Sequence, residues 1–325
     1  ASTVGFRLNY DRVEIDYDTQ ALMKLHYATK LLFFTFEHTN GLLSQLSHSY
    51  DKNYFQFLHK VALTYSLGGG LGNVYALVSK GYRSGGYNIQ MFSEILQTDL
   101  KVNGKNSISL KDETKTLDHT AEDYAAIEET IAYKPEESWN YEVGTHLTLF
   151  DNLLHFDLAL YYMQIRNQQL SIMEPNSNYG RIMVNAGKSH TCGLETTLRG
   201  LLLDNSLDWA VTYSFTNAKF DEYDTYKDND VPFVPKHTFS VIADYHIDKF
   251  TIGANVSGQG KTWRDEANTY SQKLYALLGA HVSYDFGPVI VNVWGRNLTD
   301  TEYNTFAVQS SAAGGTRYFA QQAKA

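Results

Sequence analysis

Cysteine is almost missing from this chain: its 325 residues hold one, Cys192. That excludes an internal disulfide framework and any zinc site built on cysteine pairs. Proline is scarce, at 5 residues, so little interrupts long strands. Positive charge is in deficit, with 27 Lys and Arg against 36 Asp and Glu, a net charge of −9. The isoelectric point is near 5.6, and a nucleic-acid partner has no electrostatic support. Long apolar runs are lacking too. Mean hydropathy is −0.35, and no stretch resembles a membrane-spanning helix. A membrane β-barrel survives that exclusion, because every second residue of its strands faces water.

Glycine and aromatic side chains are plentiful. There are 23 Gly, 24 Tyr and 17 Phe, and aromatics make up 14% of the chain. They fall into segments of period two. In residues 138–150, "SWNYEVGTHLTLF", Trp139, Tyr141, Val143, Thr145, Leu147 and Leu149 oppose Asn140, Glu142, Gly144, His146 and Thr148. Such alternation marks a strand with one apolar and one wet face. It recurs in "LLHFDLALYY", "GLETTLRG", "DWAVTYSFTNAKF", "TFSVIADYHI", "FTIGANVSGQGK" and "LYALLGAHVSYDF". No segment reads as a helix able to cover the apolar faces.

The connections sort into two kinds. Those near Asp151, Asp204, Asp248 and Gly287 are very short, while residues 87–134, 173–180, 220–236 and 260–272 form long polar ones. Short and long alternate along the chain, the pattern of an outer-membrane barrel with tight turns at one end and long loops at the other. Trp139, Trp209, Phe250 and Phe286 stand at strand ends, where interfacial aromatics belong. The expectation is an all-β transmembrane antiparallel barrel with about fourteen strands in this chain. A soluble β-sandwich or propeller is the rival. Residues 19–53 resist parsing. The chain opens in "STVGFRLNYDRVEIDY", a strand pattern with no signal peptide. A processed chain, a fragment or the ordered part of a longer protein is expected.

Catalytic and metal chemistry find little in the pattern. Glu136 and Glu137 are adjacent, so a strand points them to opposite faces. Glu128 and Glu129 read as solvated loop. The 11 His show no H-E-x-x-H or H-x-x-x-H spacing. His190 near Cys192 is too little for a metal site. "GGGLGN" at residues 68–73 lacks the Lys-Ser/Thr of a phosphate loop and reads as a turn. The expectation is no enzyme, no metal and no cofactor.

Several stretches resemble the TonB-dependent outer-membrane receptors. They are "VSKGYRSGGYNIQMF" (78–92), "YKPEESWNYEVGTHLTLFDNLLHFDLALYYMQIRNQQL" (133–170), "NAGKSHTCGLETTLRG" (185–200), "VPFVPKHTFS" and "GRNLTDTEYNTF" (295–306). The pieces follow the family's order from about Phe57 onward. The pattern around Gly81 to Tyr87 is most similar to the ferric-siderophore receptors.

The resemblance implies a bacterial outer-membrane location among lipid, and energy-coupled uptake of a scarce nutrient, foremost a ferric siderophore. It implies a partner complex, TonB-ExbB-ExbD, acting through a plug domain. It also implies a barrel of 22 strands. Neither plug nor TonB box is found, so residues 1–325 are expected to form part of such a barrel, the remainder lying elsewhere. A passive porin-like channel, or TonB-dependent uptake of cobalamin or glycan, is the alternative.

Six residues are candidates for the ligand: Tyr82, Arg83, Tyr87, Lys261, Trp263 and Arg264. They combine cations with flat aromatic surface near loop-side strand ends, which suits an anionic ferric chelate. Their competing role is structural, as rim anchors beside the bend that Gly85 and Gly86 permit. Glu142, Asp157, Glu195, Arg199 and Asp244 share the wet faces and are expected to bond a plug domain or one another.

Overall fold

The computed structural model of the chain describes residues 1–104, 109–173, 181–310 and 317–322. Eleven strands follow one another as an antiparallel meander. They are β1 (Ser2–Leu31), β2 (Phe34–Leu67), β3 (Gly72–Arg83), β4 (Glu136–Leu149), β5 (Leu154–Arg166) and β6 (Lys188–Leu202). Then come β7 (Leu207–Glu222), β8 (His237–Ile247), β9 (Phe250–Gln259), β10 (Tyr275–Asp285) and β11 (Ile290–Gly295). Each pairs with its neighbour in sequence, and a twelfth, short strand (Thr114–Thr116) adds to β2 in parallel. β1 and β11 are the meander's two edges, and among the described residues no pairing joins them. Shorter strands lie in the loops.

Period two governs this wall. Leu8, Val143 and Val293 are 66%, 51% and 69% exposed on the apolar face, and no described element covers them. Residues on the opposite parity pair in polar sets. His146 meets Asp157 at 2.7 Å and His246 meets Asp208 at 2.9 Å. Asp244 and His281 approach to 3.6 Å although β9 runs between their strands. Gly253 lets them meet, since a Cβ there would lie 2.0 Å from Asp244 Oδ1. Asp157 and Asp244, expected to bond a plug domain or the other wet-face charges, are paired instead with His146 and His281.

Apart from the two-residue turn at Leu32 and Phe33 that tips the β1–β2 hairpin, the two kinds of connection lie at opposite ends. The tight turns use residues in the left-handed region: Phe150, Asp151 and Asn152, then Leu203, Asp204 and Asn205, then Asp248 and Gly287. Asn and Asp tolerate that conformation better than other side chains, and Gly adopts it freely. "GGGLGN" is a turn between β2 and β3, as the sequence suggests. At this end Tyr284 meets Phe250 and Phe286 edge to face, with centroids 4.5 Å apart in each pair.

The loop end differs from the sequence reading in two places. Residues 19–53 complete a hairpin whose register runs from Ser2 opposite Leu63 to Leu31 opposite Phe34. At about 3.3 Å per residue it reaches roughly 100 Å, far beyond an apolar band of about 25 Å. Residues 87–134 are not merely a polar connection. They hold helix α1 (Phe92–Asn103) and helix α2 (Ala121–Ile131). Thr120 and Asp123 form a reciprocal capping box that starts α2. Phe92, Leu96 and Leu100 share one face of α1, and Ile127 and Ile131 one face of α2. These faces bury Leu46 and Tyr50 of β2 in a core that also holds Phe92, Leu96, Ile127 and Ile131. A second core gathers Ala186, Ala218, Phe220 and Val231. Both lie at the loop end, so the packed interior is a crown above a two-faced wall. Among the described residues no helix is long and apolar enough to cross a membrane, which says nothing about spanning strands.

Of the long connections expected from sequence, residues 174–180 lie outside the described residues. Those near 220–236 and 260–272 sit at the loop end as expected.

Candidate functional site

The mouth is built by the crown. Tyr82 and Arg83 end β3, opposite Glu137 and Glu136. Alternation sends them to different sides: Tyr82 shares the parity of the exposed apolar Val78, and Arg83 that of the wet-face Tyr75. Arg83 is exposed and has no ion pair among the described residues. Tyr87 is already engaged. Its ring lies 5.6 Å from Lys52 Nζ, which also meets Glu128 at 3.1 Å. The Tyr87 hydroxyl donates to Glu128 at 3.5 Å. Burial, then the Glu128 charge, push this phenol above its ordinary pKa. Glu128 is therefore part of a crown contact and not simply solvated.

The other three candidates belong to a different sector. β9 stops at Gln259, and Thr262–Trp263 enters its own short ladder with Ser271–Gln272. Lys261 Nζ sits 3.4 Å from the centroid of the Trp263 ring. Trp263 Nε1 donates to Asp230 at 3.0 Å, and Arg264 donates to the Asn304 carbonyl at 3.0 Å. Between β3 and β9 lie five strands, roughly 30 Å along the sheet at about 4.8 Å per step. The structure therefore brings the six candidates together as two groups, not one.

Residues that the sequence reading passed over tie these groups together. Asn88 donates to the Met183 carbonyl at 2.9 Å and accepts from Met183 N at 2.7 Å. Gln90 donates to the Arg181 carbonyl. The Arg181 guanidinium then lies 5.9 Å from the Phe233 ring, and Arg264 lies 5.4 Å from the same ring. Burial lowers both arginines from their ordinary pKa without discharging them. Asp230 is the hub of the second sector. It meets Lys236 at 2.9 Å, accepts from Trp263, and exchanges two backbone–side-chain bonds with Asn268 at 2.8 and 2.9 Å. Asp265 is 4% exposed and accepts from Thr269 N and Tyr270 N, fixing the next turn. No periodicity marks Asp230 or Phe233. The only local signal is the Pro232 and Pro235 pair around them, which stiffens the loop.

Trp263 and Arg264 consequently hold loops together, while Arg83 and Lys261 remain exposed cations. Asp230→Ala should loosen both loops, because it strips the Trp263 indole and the Lys236 ammonium of a shared partner. A cost of about 1–3 kcal/mol is expected. Limited proteolysis should then cut residues 223–236 and 260–272 faster than in the parent. Unchanged cleavage would mean that Asp230 does not hold them.

His190 is taken up by Asp221, and Cys192 is a half-buried free thiol. Among the described residues no group of three or more His, Cys, Asp or Glu could hold a metal.

A two-faced antiparallel meander with tight turns at one end and packed loops at the other has the build of a membrane barrel wall. The family model described as TonB dependent receptor-like, beta-barrel matches residues 3–298, and the chain belongs to that family. It is an outer-membrane protein of a family of transport receptors. The chain is 26% identical over 197 residues to the probable TonB-dependent siderophore receptor PiuA of Acinetobacter baumannii, covering 55% of this chain and 25% of that protein. It is 27% identical over 181 residues to the ferrichrome outer membrane transporter/phage receptor of Escherichia coli, covering 53% and 24%. The chain thus spans about a quarter of the length of these curated relatives. Among solved structures, the ferric yersiniabactin uptake receptor FyuA of Yersinia pestis matches with a TM-score of 0.63 at 19% identity, over 99% of this chain and 41% of that one. That likeness concerns the fold.

Proposed function

We propose that this chain forms part of the barrel wall and mouth of a TonB-dependent receptor that imports a ferric siderophore. Residues 1–325 act as one partial barrel domain. A plug and further strands complete it, and TonB-ExbB-ExbD supplies energy through the plug. The chain makes and breaks no bonds in its cargo. The observation that carries this reading is the family match along a wall whose wet face is polar and whose loop end packs into two buried clusters. The names of the relatives, siderophore, ferrichrome and ferrioxamine receptors, support iron as the cargo.

Arg83 and Lys261 are the cations we assign to drawing an anionic chelate into the mouth. A guanidinium offers a fork to carboxylate or catecholate oxygens, and an ammonium offers a point charge. Their reach is short, because the Debye length is about 8 Å at physiological salt. Binding of radiolabelled ferric chelates to cells bearing the intact receptor should be saturable, and uptake should require TonB. An Arg83→Ala, Lys261→Ala double variant should bind at least tenfold more weakly, about 1.4 kcal/mol. Full retention would remove both residues from the site. Steady ion conductance of the purified protein in planar bilayers, with no chelate bound, would replace the receptor with a passive channel.

A further inference from the structure

Beneath the crown, the wet face of the wall holds a cavity of about 670 Å³ between β9, β10 and the segment after β11. Asn255, Ser257, Gly279, Arg296, Asn297 and Tyr303 line it. Asn255 and Ser257 lie two apart on β9, so they point the same way. Gly279, opposite Asn255 in register, keeps the floor open, since a Cβ there would fall 2.5 Å from Asn255 Oδ1. The far wall is fixed from outside the cavity. Leu298 N donates to the Leu278 carbonyl at 2.8 Å, so the chain after β11 still runs along β10. Asn297 closes a turn by accepting from Thr301 N at 2.9 Å. Tyr303 stacks on Tyr275 with centroids 4.2 Å apart and planes 11° from parallel. Arg296 rests over the Trp294 ring at 4.8 Å.

Leu277 and Leu278 complete the lining, and its polar part holds one cation among neutral groups. Arg296, Asn255, Ser257 and Tyr303 all carry donors, and none has a side-chain hydrogen bond or ion pair among the described residues. No Asp or Glu is among the described lining residues. That is notable in a chain where acids outnumber bases 36 to 27, and where other wet-face stations pair His with Asp.

We propose that this cavity is a binding site for a small carboxylate-bearing ligand. Arg296 takes the carboxylate, and Asn255, Ser257 and Tyr303 take neighbouring oxygens. One cation with neutral donors matches a single negative charge better than a phosphate, whose second charge finds no partner here. The Trp294 face holds the guanidinium in place before the ligand arrives. The site deepens the uptake reading by giving the anionic part of a cargo a place in the wall, and it rests on that reading only for the cargo's identity.

The test is calorimetric titration of the intact receptor in detergent with lactate, a monocarboxylate with a neighbouring hydroxyl, and with inorganic phosphate and uncharged glycerol. Saturable lactate binding is expected, with phosphate at least tenfold weaker and glycerol silent. Arg296→Gln should weaken lactate about tenfold or more. Lys101→Gln, the same charge change on the remote helix α1, should leave it unaltered. Far-UV circular dichroism must first match the parent's strand signature. Should Arg296→Gln fail that, Asn255→Ala and Ser257→Ala must each weaken lactate instead. No saturable lactate binding overturns the site, as does equal binding of phosphate or an equal loss in Lys101→Gln. These outcomes are independent of chelate uptake in cells. Simple carboxylate binding can hold while the iron reading fails, and the reverse.

Discussion

Arginine at Val143 is expected to cost the folded wall about 2–4 kcal/mol, while arginine at Glu195 leaves it nearly intact. Both positions are exposed, Val143 at 51%. Exposure alone would therefore predict equal tolerance. The difference comes from what each face meets. Val143 pairs with Leu160 across β4 and β5, and both belong to the apolar parity that no described element covers. In a bilayer that face meets hydrocarbon, where a guanidinium loses its hydration. Glu195 sits on β6 between Thr197 and Gly193, on the parity of the His–Asp pairs, where water or polar groups receive it. Urea unfolding in lipid vesicles measures both variants. Equal stability would mean that the apolar face is covered by protein and that the wall is not lipid-facing.

The wall was legible because a period of two is written residue by residue. Val143, Leu160 and Val293 need no partner in sequence to declare their face. The turns were legible for the same local reason, since Asp151, Asp204 and Asp248 announce left-handed positions. The crown was not. Helices α1 and α2 are 12 and 11 residues long, short enough that their spacing hides within polar sequence. Their stability comes from docking on β2 and not from propensity. Thr120 with Asp123 three residues on is a capping signal that a search for helix starts would have found. The candidate site was half legible. Arg83 and Lys261 are exposed cations near the mouth, as residue type suggested. Tyr87, Trp263 and Arg264 are committed to Glu128, Asp230 and Asn304. Those partners lie 33 to 41 residues away in the chain, and no periodic pattern links them.

Leu46→Ala should unfold the crown locally and leave the wall standing. Leu46 is fully buried, in contact with a cluster that includes Phe92, Leu96, Ile127 and Ile131. Deleting its branch removes transfer energy and opens a cavity, an expected cost of about 2–5 kcal/mol. The cluster is small and belongs to one loop and the outer half of one hairpin, so the loss should fall on the opening of that unit and not on global unfolding. Leu46 sits opposite Thr19, well above the lower part of the hairpin, which is held by its own ladder from Ser2 opposite Leu63 upward. Amide hydrogen exchange should rise about thirtyfold or more in α1 and α2, as a loss of about 2 kcal/mol requires. Exchange in β4, β5 and β6 should stay at the parent's rate. The mouth should change with the crown. Tyr87 packs against this same cluster, so its contact with Glu128 should weaken and Arg83 should lose its fixed surroundings. Uniform acceleration across crown and wall would show instead that the two fold as one cooperative unit, with the helices acting as a brace for the barrel.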